Sequence, residues 1–411
     1  MGAAELTAPK RFQGTTHRVC SPRDTLARIQ PLAGSAGVTR VADITGLDRI
    51  GIPVTLAIRP NARSLVGSSG KGTSLLNATV SGLMEAIEIH HAENPSLAVE
   101  RHTHRSLESA GVPVAPAARL PLSRLSTFTV DVELPWTWGW DIARGVATAV
   151  PYQTVHLAGP RASAGPGVLR DSMFQVSSNG LASGNHPLEA IAAGLYEVVE
   201  RDAVTLDRIR ESSGEPPDLI DLDAVPWAAV AELVAQIRAA GADVLVGDIT
   251  SDIGIPTYRA TLLDRQRNVG AYGGFGTHLD PAVAMVRAIT EAVQSRCVII
   301  AGSRDDLFTA EHERNRRLDD AARYDERRRH EATARPPERE SAATDSFEGD
   351  IALVLARLDA AGLDQAIVVD LGLADFGLDV VRVIVPGLEG HAKFSFWTPG
   401  ERGRRALAAA R

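Results

Sequence analysis

The sequence predicts an α+β fold. Two observations carry this. Long stretches in which apolar residues recur at helical spacing, such as ATVSGLMEAIEIHHAE and AVAMVRAITEAVQSRCVII, alternate with short β-rich runs such as IPVTLAIRP, IPTYRATLLD and DVVRVIVPGL. Helix-turn-strand units also recur, at residues 225–249 and again at 351–372, without a close internal repeat.

Taken in order, residues 1–38 read as a lead-in holding one helix, SPRDTLARIQPLAG, with Ser21 as its N-cap. Residues 39–66 are strand and turn material, and the helix that follows ends before Pro95. From about 113 to 170, β-formers and Pro/Gly punctuation predict a small sheet. There Trp136, Trp138 and Trp140 alternate at period two and face one side, packing on a neighbour. Residues 311–347 carry dense mixed charge with few apolar positions and read as a solvated excursion. The chain closes on a tail, residues 390–411.

Three helices carry polar groups on one edge. In NGLASGNHPLEAIAAGLYEVVERD, at about 100° per residue, Glu189, Glu197 and Glu200 fall within about 80° of arc. Arg201 follows directly, and Ile191, Leu195, Val198, Val199 and Leu206 lie opposite. Ser81, Glu85 and Glu88 are spaced i, i+4, i+7, as are Arg287, Glu291 and Gln294. A bland account makes each a solvated face with an i,i+4 pair such as Glu197 and Arg201. Recurrence favours another: clustered carboxylates without a neighbouring lysine invite a counter-cation, and hard oxygen ligands suit Mg²⁺ bridging to nucleotide phosphates.

A glycine-bearing stretch precedes each helix: VGSSGKGTS, SSNGLASGN and YGGFGTHLDP. Glycine lets backbone approach a ligand closely, which would make Lys71 a phosphate or carbonyl contact. The first stretch is no P-loop, since Gly67 to Gly70 is too short and Gly72 stands where Ser or Thr should follow the lysine. The GGFG run is no dinucleotide fingerprint either.

Together, GKG with SGLMEAIE, NGLASG with E-x7-E-x2-E-R, and GFGTHLDP with RAITEAVQSR and GSRDD resemble the YcaO family from about Thr39 to Glu389. The resemblance implies a YcaO-like three-subdomain architecture, with a catalytic domain at 39–389 and an ATP pocket lined by acidic helices. It implies ATP and Mg²⁺ as cofactors and phosphorylation of a peptide-backbone amide oxygen. It assigns Glu85, Glu88, Glu197 and Glu200 to the metal. Lys71, Ser81, Glu189, Arg201, Arg287, Glu291, Gln294 and Arg296 would serve the nucleotide. No residue is assigned as a covalent nucleophile.

Two features depart from many members. Glu88 is followed by Ile89 rather than Arg, and the tail FSFWTPGERGRRALAAAR lacks a PxPxP ending. GTTHR, TRVADITGLDRIGIPV and VRVIVPGLE resemble the branch that works beside TfuA-like proteins. That resemblance implies a thioamide product in a ribosomally made precursor peptide, a sulfur donor, a TfuA-like partner and a homodimer. The alternatives are an azoline- or macroamidine-forming cyclodehydratase and a non-catalytic nucleotide-binding peptide scaffold.

Composition limits the remaining classes. Net charge is −8, against a generic basic grip on nucleic acid. No apolar run approaches a spanning helix and the first residues lack a signal-peptide core, so a cytoplasmic location without membrane attachment is expected. Only Cys20 and Cys297 occur, too few for a disulfide framework, and Cys297 among Val298, Ile299 and Ile300 reads as a buried apolar filler. Adjacent His90 and His91 point about 100° apart on a helix and read as packing residues. His278, in the GTHLD turn, is the more ambiguous histidine.

Overall fold

The computed structural model describes residues 7–157, 173–215, 217–263, 271–302, 334–337, 339–390 and 397–410. Most of the expected charged excursion at 311–347 lies outside these. Helices α1 (Pro22–Ile29), α2 (Leu75–Glu93), α3 (His104–Ser109), α4 (Pro187–Ser212), α5 (Ala228–Ala239), α6 (Pro281–Ala301), α7 (Phe347–Ala360) and α8 (Glu401–Ala409) alternate with short strands. The strands are β1 (Phe12–Gln13), β2 (His17–Arg18), β3 (Arg40–Asp43), β4 (Val54–Ile58), β5 (Gly67–Lys71), β6 (Glu100–Thr103), β7 (Glu133–Asp141), β8 (Val146–Pro151), β9 (Leu181–Gly184), β10 (Asp243–Asp248), β11 (Thr257–Leu263), β12 (Ala271–Thr277), β13 (Ile367–Asp370) and β14 (Asp379–Ile384). The α+β expectation is met.

By internal packing the chain divides into two compact units. The first comprises the described residues of 1–9, 88–213 and 344–411; the second, those of 10–87 and 214–343. The division falls within α2, after Ile87.

The first unit is built on an antiparallel sheet of order β6-β7-β13-β14-β9, with β8 paired to β7. Its long helix α4 starts where sequence chemistry dictates. Pro187 occupies the first turn, where a missing N–H costs nothing, and His186 accepts a hydrogen bond from Leu188 N at 3.2 Å. Leu195, Val198 and Val199 are buried, each worth about 1.5–3 kcal/mol of transfer free energy. Close approach needs glycine: a Cβ on Gly194 would lie 2.6 Å from Val383, and one on Gly184 would lie 2.7 Å from Ala190 N. Trp136 is buried and donates to His102 O at 2.9 Å, but Trp138 and Trp140 are 44% and 53% exposed. Of the three tryptophans, the expected packing therefore holds for the first.

The second unit holds two three-stranded antiparallel sheets, β3-β4-β5 and β10-β11-β12. Helix α6 begins at Asp280, whose side chain accepts from Ala282 N and Val283 N, and stops at left-handed Gly302. Val230, Leu233 and Ile237 of α5 share one core with Val244, Val246, Ala260 and Leu262 of the sheet and with Ala284, Ala288 and Ala292 of α6. The expected N-cap Ser21 does cap α1, accepting from Asp24 N at 3.2 Å.

The glycine-rich stretches are corrected by the structure. GSSGK, LASG and AYGGFGT are strands β5, β9 and β12 rather than turns. A Cβ at Gly70 would lie 1.9 Å from Ala78 O of α2, and one at Gly276 would lie 2.0 Å from Ala284 O of α6. These glycines let a helix settle directly on a strand.

Candidate functional site

In the first unit, α4 presents its acids in surroundings unlike a solvated face. Glu189 and Glu200 are each only 2% exposed, and Glu197 is partly covered. Arg201 lies 3.9 Å from Glu197 through Nε and 3.9 Å from Glu200 through Nη2. Glu88, on the last turns of α2, accepts a hydrogen bond from Ser183 Oγ of β9 at 2.9 Å. The structure thus draws Glu88 toward the strand that leads into α4.

A residue the motif reading passed over sits beneath these carboxylates. Arg382 of β14 is fully buried, and its guanidinium donates to Val155 O at 3.1 and 3.2 Å and to Asn179 O at 2.7 Å. Burial pushes its pKa down to about 10, opposed by the charges of Glu197 and Glu88. One arginine therefore balances two of the expected metal ligands. A single cation inside the apolar run VVRVIV was the available signal, since a buried charge needs partners.

In the second unit, the edge of α6 meets β5. Lys71 forms an ion pair with Glu291, while Gln294 Nε2 donates to Ser69 O at 2.5 Å and to Ser69 Oγ at 3.0 Å. Glu291 also accepts from Phe275 N at 3.4 Å. Arg287 shares this edge, and its buried Nε has no hydrogen-bond partner among the described residues. Ser81 and Glu85 are half-buried on α2.

Arg296 stands apart from the other α6 residues. It is about 180° around the helix from Arg287, is buried, and donates to Asp48 Oδ2 at 2.9 Å with its guanidinium over the Tyr272 ring.

His278 packs edge-on against His17 with ring centroids 4.8 Å apart, and its Nδ1 accepts from Asp280 N at 2.9 Å. Burial holds its pKa well below the usual histidine value, helped by His17, Lys10, Arg287 and Arg18. His90 and His91 stack around Phe376, in keeping with a packing role. Cys297 is buried and its thiol is pushed up to about 12 by burial, which makes it a poor nucleophile.

The donor chemistry fits a divalent cation and a polyphosphate. In the first unit, carboxylate oxygens in low-dielectric surroundings suit Mg²⁺ and Arg201 is a cation type that meets phosphates; in the second, Lys71 and Arg287 are cations of that type.

Comparison with known proteins places the chain. The family described as YcaO cyclodehydratase, ATP- and Mg²⁺-binding, matches residues 69–389. A protein described as "Uncharacterized protein in tfuA 3'region" of Rhizobium leguminosarum bv. trifolii is 36% identical over 90% of this chain and 88% of its own length. A Methanothermobacter thermautotrophicus protein is 37% identical over 90% of this chain and 94% of its own. The chain belongs to the YcaO family, whose cofactors are ATP and Mg²⁺.

Among solved structures, a heterocyclase in complex with substrate and cofactor is similar with a TM-score of 0.76 at 24% identity, covering 97% of this chain. This chain spans 55% of that longer one. YcaO from Methanopyrus kandleri, bound with AMPPCP and Mg²⁺, is similar with a TM-score of 0.73 at 24% identity, covering 96% of this chain and 99% of that one. At that identity the likeness speaks for the fold. Among the described residues no helix is long and apolar enough to cross a membrane.

Proposed function

We propose that this protein uses ATP and Mg²⁺ to phosphorylate a peptide-backbone amide oxygen and installs a thioamide in a ribosomally made precursor peptide. The observation that carries the product choice is the relative in the tfuA 3′ region, at 36% identity over most of both chains. A second reading, cyclodehydration of a Cys, Ser or Thr side chain, has the family's own description in its favour.

An amide resists substitution because its carbonyl oxygen is a poor leaving group. When bound, ATP supplies the phosphoryl group that converts this oxygen into phosphate, with Mg²⁺ neutralising the charge that develops. The chain's own part is positioning. Glu88, Glu197 and Glu200 of the first unit and Glu85 of the second are the proposed metal ligands. Arg201, within 3.9 Å of Glu197 and Glu200, sets a positive charge beside them.

Glu189, Ser81, Lys71, Arg287, Glu291 and Gln294 are the proposed nucleotide residues. Gln294 and Glu291 tie α6 to Ser69 and Lys71 of β5, which fixes where the lysine's charge is delivered. We assign Arg296 to its pair with Asp48 instead. The proposed partners are the precursor peptide, a sulfur donor, a TfuA-like protein and a second copy of the chain. The catalytic domain is proposed to span 39–389, with the tail at 390–411.

A labelling experiment tests amide activation. A substrate peptide with heavy oxygen in the reacting carbonyl should transfer that oxygen to released phosphate, but only with ATP and Mg²⁺ present. Unlabelled phosphate accompanying verified product would overturn the O-phosphorylation step.

A further inference from the structure

The second half of α4 is gripped by the end of the chain, and nothing in the metal-nucleotide reading accounts for it. Asp202 is completely buried and its carboxylate is saturated. Arg402 of α8 donates to it through Nε at 3.0 and 3.1 Å and through Nη2 at 2.9 Å, and Glu389 N donates at 2.9 Å. Glu389 in turn accepts from Gly400 N at 2.9 Å and Gly403 N at 2.7 Å, which ties down the start of α8. Both positions sit close against that carboxylate: a Cβ would lie 2.6 Å from Glu389 Oε1 at Gly400 and 3.1 Å from its Cδ at Gly403. A turn further along α4, Thr205 Oγ1 donates to Gly390 O at 2.7 Å.

We propose that Arg402, Asp202 and Glu389 are positioning residues: the C-terminal helix holds α4 at the rotation and axial register in which Glu197, Glu200 and Arg201 meet their ligand. This rests on the reading of α4 as the metal-nucleotide helix. The geometry is that of a two-point grip. Asp202 and Thr205 are one turn apart on the same stripe, so together they resist both roll and slide. Asp202 follows Glu200 by two residues, about 200° around the helix, so the grip acts from the side away from the acid edge. On the sheet side, Gly194 and Val198 already meet Val383 and Gly180. The tail continues that contact along the same side of the helix, one to two turns beyond Val198. Site geometry tolerates errors of only about 0.5 Å, which makes such a brace consequential for residues one turn away.

A merely structural strap would lower stability and leave the folded enzyme's parameters unchanged; a positioning residue must move them. Full-length Arg402→Met, Arg402→Lys and Asp202→Asn are compared with the parent chain below all their melting temperatures. The assay reads KM and kcat for Mg-ATP, with hydrogen exchange along α4. The expectation is a rise in KM for Mg-ATP of roughly tenfold in Arg402→Met, with much of it recovered in Arg402→Lys. Faster exchange should be confined to α4 and α8. KM and kcat within about twofold of the parent in folded Arg402→Met would overturn the proposal. If the parent chain itself showed no Mg²⁺-dependent ATP turnover, the nucleotide reading would fall instead. The exchange data would then decide the brace, unchanged protection of α4 in Arg402→Met refuting it.

Discussion

Lys71 and Glu291, 220 positions apart in the chain, form an ion pair that joins β5 to α6. Both are only 18% exposed at the side chain, so the pair is shielded better than a surface contact. It links two residues that the sequence nominates from separate motifs. It also means that the lysine carries a negative partner before any phosphate arrives.

From this pairing, Lys71→Met should weaken Mg-ATP binding by roughly tenfold or more and cost about 1–3 kcal/mol of stability by removing the cation beside Glu291. Glu291→Gln should free the lysine and change affinity less. Titration with nucleotide, alongside melting of both variants and of the double variant, checks this. Equal losses in the two single variants would argue that the pair acts as structure alone.

Replacing Glu197 or Glu200 by Gln should abolish Mg²⁺-dependent ATP turnover while the chain stays folded, because the amide keeps the side chain's shape and loses its charge. Turnover measured over a range of Mg²⁺ concentrations, with melting curves as control, reads both effects. Full activity in both variants would remove α4 from the site.

Arg382→Met should destabilise the protein by on the order of 3 kcal/mol. It strips the carbonyls of Val155 and Asn179 of their donors and leaves Glu88 and Glu197 without their buried counter-charge. Chemical denaturation gives the difference directly.

His278 sets a pH dependence. Its folded-state pKa is depressed below the unfolded value of about 6.5, so the folded chain binds fewer protons. The contribution to stability is therefore present above about pH 6.5 and is lost as pH falls below it. Melting temperature should drop between about pH 7 and pH 5, and less steeply in His278→Asn. An identical slope in the variant would show that other groups carry the acid sensitivity.

Much of the fold and half of the candidate site could be read from residues alone. Helical periodicity located α2, α4 and α6, and the acid spacing on α4 nominated Glu189, Glu197 and Glu200, two of which prove deeply buried. The glycine stretches misled because the same absence of Cβ serves ligand approach and helix-on-strand packing, and no local pattern separates the two. Arg382, Ser183 and the Asp202–Arg402 pair escaped because their meaning lies in partners brought close by topology. Asp202 and Arg402 are 200 positions apart, and each alone is an ordinary charged residue.

The central claim is tested most directly by the sign of a mass change. The protein is incubated with its precursor peptide, ATP, Mg²⁺, a sulfide source and a TfuA-like partner, and intact and fragment masses are read. Exchange of one carbonyl oxygen for sulfur predicts a gain localised to a single backbone amide. Loss of one water would contradict the thioamide and move the protein to the cyclodehydratase reading, and an unchanged mass with a verified substrate would contradict both.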